Sequence, residues 1–115
     1  LRGLNGKKAG RGGPDSNYCR DGAEGWCEFK QTSGWAVGLR PEQCGWILRR
    51  TRHGGRAWVA VRRKDDELWM VPGCYAAKIK EHGLKPVFEG RIPGVWYDGG
   101  PSGWGWDAIA RLLTN

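Results

Sequence analysis

The sequence predicts a single α+β domain: a small antiparallel sheet of three or four strands, one or two helices packed on it, and an irregular Gly-rich arm in front. Three observations predict it. Ala57 to Val61 and Glu67 to Val71 are short runs rich in Val and Trp, separated by five charged residues, the composition of an antiparallel hairpin with a solvated loop. Pro72 and Gly73 then stop the second strand, and Cys74 to His82 continues with helical spacing, placing Tyr75 and Ile79 on one face. Trp106, Ile109, Ala110 and Leu113 recur at i, i+3, i+4 and i+7, which predicts a closing amphipathic helix whose apolar face covers the sheet.

A chain of 115 residues accommodates one ordinary domain with one core. Its 20 glycines far exceed the usual share of about 7%, so much of the chain is loop. Eight tryptophans compensate, each worth about 4 to 6 kcal/mol when fully buried. No run of 18 apolar residues occurs, so the sequence predicts no transmembrane segment. The chain begins with Leu rather than Met, which leads to the expectation of a removed targeting segment and an organellar location.

Leu1 to Ser16 holds five glycines, Pro14 and four basic residues between Gly3 and Asp15 or just before them, with almost nothing to bury. It is expected to be a basic arm, laid along a partner or free, ahead of a domain spanning 17–115. Tyr18 to Leu39 is expected to be irregular, with short strands at Trp26 to Lys30 and Trp35 to Leu39 joined through Thr32, Ser33 and Gly34. Arg40 to Gly55 fits a helix, with Pro41 at its first position, Cys44, Ile47, Leu48 and Thr51 on one face and arginines late. It also fits a strand from Trp46 to Arg52 that joins the hairpin through His53, Gly54 and Gly55. A short helical turn at Pro41 to Cys44 followed by that strand is the preferred expectation, completing a three-stranded meander. Gly83 suits the left-handed position past the helix, Leu84 folds back as an apolar residue, and Val87 and Phe88 form a short strand. Gly90 to Gly103 is expected to be a loop that presents Trp96 and Tyr97.

The four cysteines, Cys19, Cys27, Cys44 and Cys74, include no C-x-x-C pair, and His53 and His82 do not have the spacing of a zinc knuckle. No metal site and no cofactor are expected. Cys19 and Cys27 can form a disulfide or stay as buried thiols. Cys44 near a helix start, with His53 or His82 as base, has the logic of a cysteine hydrolase. From Trp46 onward the order strand, strand, helix, strand resembles the back half of papain-like peptidases, including the Josephin type. That resemblance implies a cysteine nucleophile and a histidine at the start of the first hairpin strand, where this sequence has Arg56 and Ala57. No phosphate-cradling loop, nucleophile elbow or dinucleotide fingerprint is present.

Charge is the stronger signal. The net charge is +7, and residues 1–64 carry fourteen Lys or Arg against five Asp or Glu, while residues 65–115 carry five against seven. Between Arg49 and Lys64 no acidic residue interrupts the basic ones. The reading that follows is a non-catalytic structural or accessory subunit that docks on a larger protein or ribonucleoprotein assembly with an acidic surface, peripheral membrane complexes included. The docking residues would be Lys7, Lys8 and Arg11 on the arm, Arg49, Arg50, Arg52, Arg62, Arg63 and Lys64 on adjacent strands, and Trp96, Tyr97 and Trp104. The alternative is an autonomous RNA or DNA-binding module acting through phosphate contacts.

Overall fold

The computed structural model describes residues 16–20, 23–53 and 56–114. It is an α+β fold built on one five-stranded mixed sheet. The strands are β1 (Ser16–Arg20), β2 (Ala23–Thr32), β3 (Arg56–Arg63), β4 (Glu67–Pro72) and β5 (Val95–Tyr97), ordered in the sheet as in the chain. The helices are α1 (Pro41–Arg52), α2 (Ala76–His82), the single turn α3 (Lys85–Phe88) and α4 (Trp106–Thr114). A 3-10 turn, Gly73–Tyr75, leads into α2.

The expected antiparallel sheet is corrected at its centre. β2 pairs with β3 in parallel from Gly25↔Arg56 to Thr32↔Arg63, while the other pairs, β1 with β2, β3 with β4 and β4 with β5, are antiparallel. Parallel neighbours need a crossover of about a dozen residues, and α1 with its preceding loop supplies it. The expected strand from Trp46 to Arg52 is therefore helix throughout. Pro41 opens the helix, Gln43 Oε1 accepts the Arg40 backbone N–H at 2.9 Å, and Arg49, Arg50 and Arg52 sit in the last turn, where the carbonyl ends favour cations.

Alternation along the strands sorts the core onto two faces. Val59, Val61, Trp69 and Val71 meet Cys44 and Ile47 of α1 and Ala76 and Ile79 of α2 on one face. Ala60, Leu68, Met70 and Cys27 meet Trp104 and Ile109 and Leu113 of α4 on the other. The closing helix thus covers the sheet as its periodicity predicts, and the hairpin of β3 and β4 stands where Val and Trp place it.

Two further expectations change. Trp35 to Leu39 forms no strand, although Val37 and Leu39 are buried alternately as in one; the Trp35 carbonyl accepts the Leu84 N–H at 2.8 Å instead of joining a ladder. Val87 and Phe88 lie in α3, because Pro86 suits a first helical turn. Conversely, the loop expected between Gly90 and Gly103 contains β5, with Trp96 opposite Trp69 on β4. Those rings stack at 4.6 Å and 18°, which gives the short edge strand its anchor. Gly83 has φ +74° as expected, and Leu84 is fully buried.

Candidate functional site

Strand β2 presents alternate residues to the α1 side of the sheet. Opposite Ala57, Val59 and Val61 of β3 it places Trp26, Glu28 and Lys30. Glu28 is completely buried. Its Oε2 lies 3.3 Å from Lys30 Nζ and accepts a hydrogen bond from Gln43 Nε2 at 3.1 Å. Gln43 is itself buried on the first turn of α1, where its other amide atom caps the helix start. The crossover therefore does more than connect two strands: it delivers a fixed amide to a carboxylate in the sheet. Burial of an ion pair costs several kcal/mol per ion and is a weak source of stability. Valine occupies the matching sites on β3, so packing alone does not call for a carboxylate and an ammonium here.

Around this pair the field is mixed. Burial pushes the Cys44 thiol above its ordinary range, the Lys80 ammonium opposes that, and the Glu28 carboxylate adds to it. That direction is the opposite of the lowered thiol that a helix-stabilised cysteine nucleophile requires. His53, at the end of α1, and His82, at the end of α2, are both exposed. Cys44 is buried and Cys74 exposed, both as free thiols, and Cys27 is buried; the side chain of Cys19 lies outside the described residues, and with it the expected Cys19 to Cys27 pairing.

Beside Glu28 on the same strand face, Trp26 meets Trp46 of α1 edge to face at 5.2 Å and 75°. The Arg50 guanidinium lies over both rings, 5.4 Å from one centroid and 5.5 Å from the other. Arg49 and Arg52 are exposed on the same helix. Among the described residues no cluster of three or more His, Cys, Asp or Glu is assembled. Two described carboxylates lie on this face of the sheet: Glu28, held by Lys30 and Gln43, and Glu67, held by Arg63 and the Trp69 indole.

The structure separates the residues grouped from sequence. Lys7, Lys8 and Arg11 lie outside the described residues. Arg49, Arg50 and Arg52 are on α1, not on a strand beside Arg62. Arg62 is on the opposite face of the sheet, its guanidinium 5.6 Å from the Trp104 ring, beside a cavity of about 430 Å³ floored by Ala60, Leu68 and Met70. Arg63 is buried rather than displayed: it makes two bonds to Glu67 at 3.0 and 3.1 Å, donates to the Gly34 carbonyl at 2.8 Å and stacks 3.9 Å from the Trp35 centroid. Lys64 is exposed in the hairpin turn at φ 54°. Trp96 is 41% exposed, Tyr97 is partly buried, and Trp104 is buried with its indole N–H on the Asp66 carbonyl at 2.8 Å.

Sequence reasoning passed over Glu28, Lys30 and Gln43. The signal was present in Trp26 to Lys30, which reads apolar or aromatic, Cys, charged, aromatic, charged: an interior strand interrupted by a carboxylate and an ammonium two residues apart. No protein-family model matches the chain, and no curated protein matches it in sequence.

Proposed function

We propose that the protein is a metal-dependent phosphodiester hydrolase acting on nucleic acid, with Glu28 as a ligand of the divalent cation and Lys30 as its cationic neighbour. The observation that carries this reading is the buried Glu28 carboxylate with Lys30 Nζ at 3.3 Å, on a strand whose parallel partner uses valine at both matching sites. Mg²⁺ is commonly held by one or two carboxylates together with phosphate oxygens and water, so a complete cage of protein ligands is not required. Water adds to phosphorus, a phosphorus–oxygen ester bond breaks, and the leaving oxygen takes up a proton. Lys30 supplies positive charge where negative charge builds on the phosphoryl oxygens. The net charge of +7 and the exposed arginines of α1 supply phosphate contacts. Hydrolysis of labelled single-stranded, duplex and branched oligonucleotides, with Mg²⁺ or Mn²⁺ and with chelator, tests it. Cleavage that needs the metal and disappears in Glu28→Gln and Lys30→Ala is expected; cleavage indifferent to Glu28→Gln, or none on any substrate, sinks it.

A second reading, the accessory subunit that docks on a larger assembly, is favoured by one patch. Phe88, Val95 and Trp96 are 54, 40 and 41% exposed, and the Phe88 and Trp96 rings lie 5.7 Å apart. No helix among the described residues is long and apolar enough to cross a membrane. A stoichiometric protein complex that survives nuclease and high salt, and is lost in Trp96→Ser, is the result this reading requires.

A further inference from the structure

We infer that Trp26, Trp46 and Arg50 form a stacking site for an unpaired base, so that the substrate of the Glu28 and Lys30 site is single-stranded or locally unpaired nucleic acid. The inference rests on the hydrolase reading and adds to it the class of substrate. Trp26 precedes Glu28 by two residues on the same face of β2, about 7 Å along the strand. Trp46, one turn beyond Gln43 on α1, meets it edge to face at 5.2 Å. Both tryptophans are partly buried, so each keeps part of its surface open to solvent. Arg50, an exposed residue one helical turn after Trp46, spans both rings at 5.4 and 5.5 Å.

Each component fits one part of a nucleotide. Indole faces stack on bases without demanding a particular sequence, and an arginine plane both stacks and meets phosphate. A paired base in a duplex has its faces covered by its neighbours, so an indole reaches only a base that has left the stack. The alternative role for this trio is to close α1 onto β2. Packing accounts for the Trp46 contact with the core, but not for a guanidinium laid over two indoles at the end of a row that continues into Glu28 and Lys30.

The test is binding, measured without divalent metal so that hydrolysis plays no part. Fluorescence anisotropy would compare a labelled twelve-nucleotide thymidine oligomer with the same oligomer carrying abasic sites, and with a duplex. The wild type is expected to prefer the base-bearing single strand over the abasic one by about tenfold, the order of one stacked base. Trp46→Ala and Arg50→Ala are expected to erase most of that preference, and Trp46→Phe to keep most of it. Circular dichroism of each variant separates loss of stacking from loss of fold, and Arg50→Ala, at an exposed position, serves where Trp46→Ala does not fold. Equal affinity of the wild type for base-bearing and abasic strands overturns the inference. So does a preference unchanged in folded Trp46→Ala and Arg50→Ala. The two proposals fail separately: stacking without cleavage removes the hydrolase, and cleavage without base preference removes the stacking site.

Discussion

Lys30 Nζ lies 3.3 Å from the Oε2 of Glu28, two residues earlier on the α1 side of β2. Breaking this pair from one side removes the Lys30 charge from beside a buried carboxylate. Lys30→Met is expected to lower the unfolding free energy by about 1 to 3 kcal/mol, less than for a fully buried pair because water reaches the lysine. Adding Glu28→Gln to it should recover most of the loss. Urea unfolding of the wild type, both single variants and the double variant checks this; additive losses would mean that the two groups are not coupled.

Arg63 and Glu67 set an acid limit on stability. Burial alone would push the Glu67 carboxyl up, but hydrogen bonds from the Trp69 indole and from Arg63, with the Arg63 charge, hold it below the ordinary carboxylate value. A folded value below the unfolded one means that the unfolded chain binds the proton more tightly. The contribution is therefore complete above the ordinary carboxylate range and disappears as pH falls through the lower folded value. Thermal unfolding from roughly pH 3 to 7 should fall off more steeply in the wild type than in Glu67→Gln. Arg63→Lys should still be destabilising, by about 1 to 3 kcal/mol, because an ammonium cannot make the paired contacts to Glu67, reach Gly34 and stack on Trp35 together.

Glycine is required where the backbone passes close. A Cβ at Gly73 would stand 2.6 Å from Ile47 Cγ2 and 2.7 Å from the Ala57 carbonyl, and one at Gly83, with φ +74°, would stand 2.5 Å from the Trp35 carbonyl. Alanine at either position is expected to cost about 1 to 3 kcal/mol in chemical denaturation. Gly34, with no atom within 4 Å of a Cβ, is the control; Gly34→Ala should be neutral or slightly stabilising.

The two faces of the sheet should respond differently to charge reversal. Arg49, Arg50 and Arg52 are on α1, over the Glu28 face, whereas Arg62 faces Trp104 on the other side. Reversal of Arg49 and Arg52 should lower the salt slope of nucleic-acid binding by about 0.7 to 0.9 per lost phosphate contact, and Arg62→Glu should leave it unchanged. An equal drop from both faces would place the contact surface elsewhere.

Thiol reactivity gives a direct readout of burial. Cys74 is exposed, whereas Cys27 and Cys44 are buried and the Cys44 thiol is pushed up. Iodoacetamide labelling with peptide mass spectrometry should modify Cys74 in the native protein, and Cys27 and Cys44 only on unfolding. Rapid native labelling of Cys44 would revive it as a nucleophile.

Local signals in the sequence determined the α+β class, the hairpin of β3 and β4, the helix ending at Gly83 and the closing helix α4. In each, periodicity and turn residues agree over a short span, so neighbours along the chain suffice. The path between β2 and β3 was decided only in three dimensions. Pro41 to Arg52 carries both a helical face and a strand-like run, and parallel pairing of β2 with β3 selects the helix because nothing shorter spans that crossover. Trp35 to Leu39 likewise alternates as a strand does, yet the Trp35 carbonyl accepts the N–H of Leu84, far along the chain, and the Leu39 N–H turns back to the Val37 carbonyl. The candidate site follows the same rule. Glu28 and Lys30 are an ordinary charged pair in the sequence, and only the sheet register and the arrival of Gln43 from α1 turn them into a buried carboxylate with a fixed amide and a cation beside it.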